Sequence, residues 1–270
     1  MSDERSRHAN VVRRLGRTAT ALKVPEITAW FWVIKLLSTA MGESTSDFLV
    51  FHIDPYVAVV VGSVGLVVAV AIQVAMPRYL APVYWFAVVM IAIFGTMVAD
   101  VLHVVVHIPY VLSTLVLSLA LAATFVAWRR VEGTLSIHSI VTTRRELFYW
   151  ATVIATFALG TAAGDLAAST LGLGYPAAAA AFAVAFVIPA IGWRWFGWNA
   201  IASFWAAYVI TRPLGASIAD WLGKSALGGL GFGDEKVAVV LTILIVVAVA
   251  YVTVTHLDTA PAAEPIGEAT

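Results

Sequence analysis

Residues 32–47, WVIKLLSTAMGESTSD, decide the fold, because their spacing of a tryptophan, a glycine ten residues later and an aspartate five residues further on recurs along the chain. Random placement of these residue types would give roughly 0.02 such spacings in a chain of this composition. The chain therefore contains an internal repeat. Its four copies are Trp32, Gly42 and Asp47; Trp85, Gly95 and Asp100; Trp150, Gly160 and Asp165; and Trp205, Gly215 and Asp220.

The copies share this skeleton but differ at neighbouring positions, and the differences mark candidate functional residues. An aromatic residue accompanies each tryptophan, namely Phe31, Phe86, Tyr149 and Phe204. The residues that follow the four glycines are Glu43, Thr96, Thr161 and Ala216.

The composition is that of a membrane protein. Of the 270 residues, 61% are hydrophobic and only 12% are charged, and the mean hydropathy is +0.92. These values exclude an ordinary soluble globule. The sequence has no cysteine, which excludes a disulfide framework and a thiolate metal site.

Eight apolar stretches have about the length that a helix needs to cross the hydrocarbon core. The sequence therefore predicts an all-α, polytopic membrane protein with eight transmembrane helices. The stretches lie at about residues 28–50, 56–76, 82–104, 109–128, 147–170, 175–193, 198–222 and 236–256.

The distribution of basic residues predicts the orientation. Most Lys and Arg residues lie in the amino-terminal arm and in the loops on the same side, whereas only Lys224 and Lys236 lie opposite. Basic residues favour the cytoplasm, so both termini are predicted to be cytoplasmic and each repeat is a helical hairpin, with the four copies related in parallel. The predicted divisions are a basic cytoplasmic arm (1–25), repeats at 26–78, 79–130, 147–195 and 196–256, a cytoplasmic loop (131–146) and a disordered tail (257–270).

Four tandem copies of a two-helix membrane unit, each marked by a tryptophan, resemble a bacterial family of uncharacterized membrane-anchored proteins built from four repeats of unknown function. The resemblance covers about residues 24–256. It implies an eight-helix protein of the bacterial inner membrane, and it implies no established activity. It makes Trp32, Trp85, Trp150 and Trp205 the family tryptophans.

The spacing also predicts where the motif residues lie. Fifteen residues of helix rise about 22 Å, so the tryptophans are expected near the cytoplasmic boundary and the aspartates toward the outer one. Aromatic residues are typical of membrane interfaces, and we expect that position for the four tryptophans. The motif glycines, Gly42, Gly95, Gly160 and Gly215, are expected to allow close contact between helices.

The motif aspartates are candidates for an ion pathway, because ionisable groups within spans are costly and usually face a polar interior. Alternatively, they form structural hydrogen bonds that join neighbouring repeats. Their oxygens suit hard cations such as Mg²⁺, Ca²⁺ or Mn²⁺. The candidate pathway residues are Glu43, Asp47, Asp100, Asp165 and Asp220.

Two basic residues lie inside the predicted spans, and Lys35 and Arg212 are candidate counter-ions or gating groups. Pro213 cannot donate a backbone hydrogen bond to the carbonyl of Val209, which predicts an interrupted or kinked helix beside Arg212. Such a helix is typical of transporter substrate sites. The alternative is an internal ion pair between Arg212 and an acidic residue of another repeat.

Repeat two contains a candidate metal site. Asp100, His103 and His107 would share one helical stripe if the helix continued that far. The sequence contains no nucleotide-binding or hydrolase motif in a supporting context, so no cofactor is predicted. The basic arm has too few aromatic residues for nucleic-acid recognition, and anionic membrane lipids are its expected partners.

The leading hypothesis is an inner-membrane transporter or channel for a small cation, and not an enzyme. A divalent metal ion and coupling to protons are both open options. A second hypothesis is a membrane sensor or assembly scaffold in which the same charges are structural. A third, an intramembrane enzyme acting on lipid, would use Glu43 and Asp47 as acid and base.

Overall fold

The computed structural model describes residues 22–259, which form eight long helices and contain no strand. Most of the predicted basic arm and residues 260–270 of the predicted tail lie outside this range. The eight helices are α1 (Ala29–His52), α2 (Pro55–Ala75), α3 (Ala81–Asp100), α4 (Tyr110–Glu132), α5 (Thr143–Asp165), α6 (Gly174–Phe196), α7 (Ala200–Gly223) and α8 (Asp234–Thr255).

Local sequence explains several helix ends. Side-chain oxygens of Thr28, Asp54, Thr142 and Asn199 accept hydrogen bonds from the first free backbone amides of α1, α2, α5 and α7. Gly133 ends α4 in a left-handed conformation, with φ of 73°. Short π-helical segments follow α3 at Val101–Val105 and α5 at Leu166–Thr170, and a short 3₁₀ helix occupies Ile137–Ser139.

The first helices of the four repeats form a closed inner ring. Within it α1 packs against α3, α3 against α5, α5 against α7, and α7 against α1. The second helices surround this ring, and each packs mainly on the first helix of the next repeat: α2 on α3, α4 on α5, α6 on α7, and α8 on α1. The predicted hairpin is therefore a unit of sequence, while the main packing contacts join successive repeats.

Six of these helices are long and apolar enough to cross a membrane: α2, α3, α4, α5, α6 and α8. In the four outer helices only 17–28% of the span residues are buried within the protein, whereas 56% are buried in α3 and 67% in α5. The outer helices thus present apolar side chains to the surroundings. The two remaining inner helices, α1 and α7, carry charged residues within their length, namely Lys35, Glu43 and Asp47 in α1 and Arg212 and Asp220 in α7.

The two ends of the bundle contain different motif residues. The segment that precedes α1, the loop between α2 and α3, and the segment that follows α8 lie together at the end that contains the motif tryptophans. We call this the tryptophan end and the opposite one the aspartate end. Asp258, which falls in the predicted disordered tail, is only 2% exposed and is part of this folded end.

Candidate functional site in the inner ring

The motif glycines are the contact points between successive inner helices. Each glycine faces one residue of the next repeat, which always stands seven positions after the tryptophan of that repeat. The glycine of the fourth repeat faces the equivalent residue of the first repeat. A Cβ atom on any of them would come within 2.0–2.6 Å of the facing side chain, so only glycine fits without displacement. The facing pairs are Gly42 with Ala92, Gly95 with Phe157, Gly160 with Arg212, and Gly215 with Thr39.

Arg212 lies in the middle of the ring and is fully buried. Its Nη2 donates to Glu43 Oε2 at 2.5 Å, to Thr161 Oγ1 at 2.6 Å and to Thr96 Oγ1. The Thr96 hydroxyl also lies 3.2 Å from Glu43 Oε2. Because these four side chains are at most 2% exposed, this layer closes the centre of the ring.

The structure thus pairs Arg212 with an acidic residue of another repeat, as the second of the two sequence interpretations expected. α7 runs without interruption from Ala200 to Gly223, with Pro213 inside it. The prediction of an interrupted helix at Pro213 is therefore wrong. Close packing of α5 around this segment, where Gly160 faces Arg212 and Pro213, supports the helix through the proline.

Lys35 is buried nearer the tryptophan end. Lys35 is 0% exposed, and its Nζ atom has no hydrogen-bond partner in the described structure. The ammonium instead lies 4.0 Å from the centre of the Phe157 ring and 4.3 Å from that of Tyr208. Ring faces attract cations, so two cation–π contacts replace the usual acceptors.

At the aspartate end, two of the four motif aspartates share one cation. Lys224 Nζ lies 2.9 Å from Asp47 Oδ2 and 2.7 Å from Asp220 Oδ1. Glu43, Asp47 and Asp220 each offer an oxygen, and these oxygens lie within 4.8 Å of one another. Three carboxylates from α1 and α7 thus converge beside one ammonium group.

The other two motif aspartates lie around the same end but make fewer direct contacts. Asp100 and Asp165 are partly exposed. Asp100 interacts electrostatically with Asp47, Glu43 and Asp165. One carboxylate oxygen of Asp100 is buried and has no hydrogen-bond partner among residues 22–259. The four aspartates therefore share one region of negative charge.

Lys224 is a site residue that the sequence analysis missed, because it was assigned to an outer loop. It follows the last residue of α7 and stands four residues after Asp220. That spacing places two helical side chains on one face and was the available signal. With Lys224 included, three positive side chains (Lys35, Arg212 and Lys224) lie with the five acidic candidates between the middle of the ring and its aspartate end.

The tryptophan end of the ring is closed by aromatic side chains. Trp85 and Trp150 are 2% exposed and Trp205 is 5% exposed. Trp205 donates to the Leu135 carbonyl at 2.9 Å. These three tryptophans are therefore buried in the protein, and their expected position near the cytoplasmic boundary stays a prediction. Trp32 is only partly buried, and its ring packs against Phe204 and against Phe186 of α6.

The aromatic neighbour of Trp85 was also misassigned. Phe86 is 47% exposed, whereas Tyr84 is 1% exposed and its hydroxyl is hydrogen-bonded to the hydroxyl of Tyr149. Tyr84 precedes Trp85 just as Tyr149 precedes Trp150. The residue before each motif tryptophan is thus the equivalent position in all four repeats.

The predicted histidine stripe depends on an α-helix that continues to His107, and the chain does not keep that geometry. After Asp100 it passes into a π-helical segment, and His107 has a positive φ of 59° beyond the end of that segment. His103 stacks on Tyr110 and its Nδ1 lies 3.0 Å from the Ile108 carbonyl. Among residues 22–259, the only acidic and histidine side chains close enough to share a metal ion are Glu43, Asp47 and Asp220.

A second buried ion pair, which sequence reasoning did not identify, lies outside the ring's axis at the tryptophan end. Lys23 Nζ donates to Glu146 Oε2 at 2.6 Å and to the Val74 carbonyl at 2.9 Å. Gln73 donates to the other Glu146 oxygen at 3.1 Å. Lys23, which was assigned to the basic arm, thus joins the segment before α1 to α5 and to the end of α2.

Four equivalent helix pairs around a closed ring, with membrane-length apolar helices outside, define a tandem-repeat protein of the membrane type. The chain belongs to the family described as Repeat of Unknown Function (DUF347), whose matches cover residues 30–79, 83–134, 148–197 and 203–257. Each match comprises one inner helix and the outer helix that follows it, so the resemblance inferred from the tryptophans is confirmed. No curated protein and no solved structure matches the chain.

Proposed function

We propose that the protein is a carrier for a small cation in the bacterial plasma membrane, with both termini in the cytoplasm. All eight helices would cross the membrane, and α1 and α7 would be shielded from lipid by their neighbours. The observation that carries the proposal is the convergence of Glu43, Asp47 and Asp220 on the Lys224 ammonium. The orientation follows from the excess of basic residues at the tryptophan end.

The carboxylate cluster is compact enough to bind one hard cation. Three oxygens no more than 4.8 Å apart lie no more than about 2.8 Å from a central ion, so small adjustments would bring them to the roughly 2.3–2.6 Å bonds of Ca²⁺. A cation that entered from the aspartate end would replace the Lys224 ammonium between Asp47 and Asp220. Lys224 would then act as a tethered counter-ion of the empty site.

The closed centre favours a carrier over an open channel. An ion that leaves the cluster toward the tryptophan end meets the Arg212–Glu43 pair, which fills the ring at 0% and 2% exposure. Passage would require Glu43 to exchange Arg212 for the ion. Glu43 suits this role because it belongs both to the carboxylate cluster and to the central pair.

Flux through proteoliposomes tests this proposal. The panel of ions is Na⁺, Mg²⁺, Ca²⁺ and Mn²⁺, and the variants are Asp47→Asn and Asp220→Asn. Glu235→Gln is the control, because Glu235 lies at the same end and is exposed. We expect at least one ion to move faster than through empty vesicles, at least about tenfold more slowly in the two aspartate variants, and normally in the control. Flux equal to that of empty vesicles for every ion would overturn the proposal.

A second candidate function is a membrane scaffold or sensor, and the pairing of the buried charges favours it. Asp47 and Asp220 are tied by Lys224, and Glu43 is tied to Arg212, so these charges also join α1 to α7. For a scaffold, Asp47→Asn would lower the unfolding temperature in detergent, and no cation of the panel would stabilise the unaltered protein. Ion-dependent stabilisation that disappears in Asp47→Asn would instead support the carrier.

A further inference from the structure

Lys35 is a buried amine that finds no hydrogen-bond acceptor in the described part of the chain. Its ammonium contacts the ring faces of Phe157 and Tyr208, and Arg212 acts on it from α7 as a second positive charge. Burial without hydrogen bonds opposes a charged side chain, whereas the two rings favour it. A group balanced in this way is suited to binding and releasing a proton. A proton is also a ligand that needs no cavity in the closed centre of the ring.

Tyrosine hydroxyls lead away from Lys35 toward the tryptophan end. The first is that of Tyr208, whose ring face lies 4.3 Å from the Lys35 ammonium, measured to the ring centre. Transfer between the ammonium and this hydroxyl would require one bridging water molecule. Tyr208 approaches Tyr149 without a well-directed hydrogen bond. The hydroxyls of Tyr149 and Tyr84 are hydrogen-bonded to each other. All three tyrosines are at most 1% exposed.

Tyr79 extends the line of tyrosines to the end of the bundle through a ring contact with Tyr84. The ring of Tyr79 lies 5.5 Å from that of Tyr84, and its hydroxyl donates to Asp258 Oδ2 at 2.5 Å. Burial and this hydrogen bond raise the pKa of the Tyr79 hydroxyl well above its ordinary value, so Tyr79 keeps its proton at physiological pH. Asp258 follows α8 and lies between the exposed residues Leu257 and Thr259.

We propose that these side chains form a proton pathway that joins Lys35, in the closed centre of the ring, to Asp258 at the tryptophan end. A proton that leaves the Lys35 ammonium is taken up by one hydroxyl oxygen, which releases its own proton to the next. The Asp258 carboxylate accepts the last proton. Each tyrosine is unchanged after the transfer, Lys35 becomes a neutral amine, and Asp258 becomes a carboxylic acid. Proton uptake follows the reverse order.

The helices that pack around Lys35 determine which groups can exchange a proton with it. α8 presents buried side chains that are apolar, and Glu43, two turns further along α1, is engaged by Arg212. The hydroxyl row is therefore the route of exchangeable protons between Lys35 and the tryptophan end. The ionisable groups that face this region are Arg212 and Tyr208 on α7, Tyr149 on α5, and Tyr84 on α3.

A rapid pH jump across the neutral range, followed by a proton-sensitive dye, separates the site from the pathway. The full chain is used in detergent micelles without any added metal ion, so the result does not depend on cation transport. Lys35→Met is expected to reduce the amplitude of proton release by about one proton per chain. Tyr149→Phe keeps the ring and Lys35, so it is expected to leave the amplitude unchanged and to slow the release at least about tenfold.

Tyr56→Phe is the matched control, because Tyr56 is 72% exposed and lies outside the pathway. It should change neither amplitude nor rate. An unchanged amplitude in a folded Lys35→Met protein would remove Lys35 as the proton site. If Lys35→Met does not fold, Tyr149→Phe still tests the pathway, because a wild-type rate of proton release in that variant would overturn it. Both measurements are made without added metal ions, so they remain valid even if no ion flux is found in vesicles.

Discussion

The inner ring consists of two unlike halves. The adjacent helices α1 and α7 carry all the charged side chains of its middle, Lys35, Glu43 and Arg212, whereas α3 and α5 carry none there. The neutral half supplies Thr96 and Thr161, whose hydroxyls bind the guanidinium. The shared tryptophan and glycine positions thus build the ring, and a few substitutions in two helices determine its chemistry.

The halves also differ where the helices end. α3 and α5 pass into π-helical segments directly after Asp100 and Asp165, while α7 ends as an α-helix and is followed by Lys224. π-helical segments are frequent at functional sites. The aspartates differ in the same way: Asp47 and Asp220 are buried and joined by a cation, whereas the two aspartates of the neutral half are partly exposed.

The largest expected effect comes from breaking the ion pair of the charged half. Glu43→Ala leaves the Arg212 guanidinium buried without a carboxylate, and we expect the free energy of unfolding to fall by about 3–5 kcal/mol. Denaturant unfolding in detergent measures this change. The double variant Glu43→Leu with Arg212→Met should recover most of the loss, because it removes both charges. A single variant as stable as the parent would contradict a buried central pair.

The contact between the first and last inner helices is the next target. In Gly215→Ala the new Cβ would lie 2.0 Å from Thr39 Oγ1 and 2.9 Å from the backbone nitrogen of Ala40. Such overpacking is expected to cost about 1–3 kcal/mol in the free energy of unfolding. Gly164→Ala is the control, since its Cβ would meet Ala216 at an ordinary 3.6 Å. Equal losses in both variants would show that the loss reflects glycine replacement in general.

The repeated part of the fold was accessible from the sequence, because spacing is a property of one chain segment. The Trp, Gly and Asp positions predicted four equivalent helix pairs, and the structure places each glycine against the next inner helix. The closure of the ring, with Gly215 against Thr39, depends on helices that are far apart in sequence. No local pattern specifies that contact.

The partners of the charged residues were harder to predict from the sequence, because they also depend on contacts between distant segments. Arg212 and Glu43 are 169 residues apart, and Lys23 and Glu146 are 123 residues apart. Which acid a buried cation meets is decided by the packing of whole helices. Interfacial preference describes a lipid-facing residue, and it gave no indication that Trp85 and Trp150 are buried within the protein.

A smaller effect should follow from removing the cation at the aspartate end of the charged half. Lys224→Met frees Asp47 and Asp220 for an added ion, and we expect Ca²⁺ to bind about tenfold more tightly, a change of about 1.4 kcal/mol. Calorimetric titration in detergent measures this affinity. Lys236→Met is the control, because Lys236 is exposed on the same side of the bundle. Weaker binding in Lys224→Met would mean that Lys224 assists the ion instead of competing with it.

The smallest effect is expected in the neutral half. Thr96→Val and Thr161→Val keep the side-chain shape but each removes one hydroxyl that accepts from Arg212. Hydrogen bonds between membrane helices contribute about 0.6 kcal/mol on average, so each variant should lose about that amount. Thr242→Val is the control, because Thr242 is exposed on α8 and donates to its own helix. If the threonine variants lost as much stability as Glu43→Ala, the neutral half would hold the guanidinium as firmly as the carboxylate does, and the division of the ring into a charged half and a supporting half would be wrong.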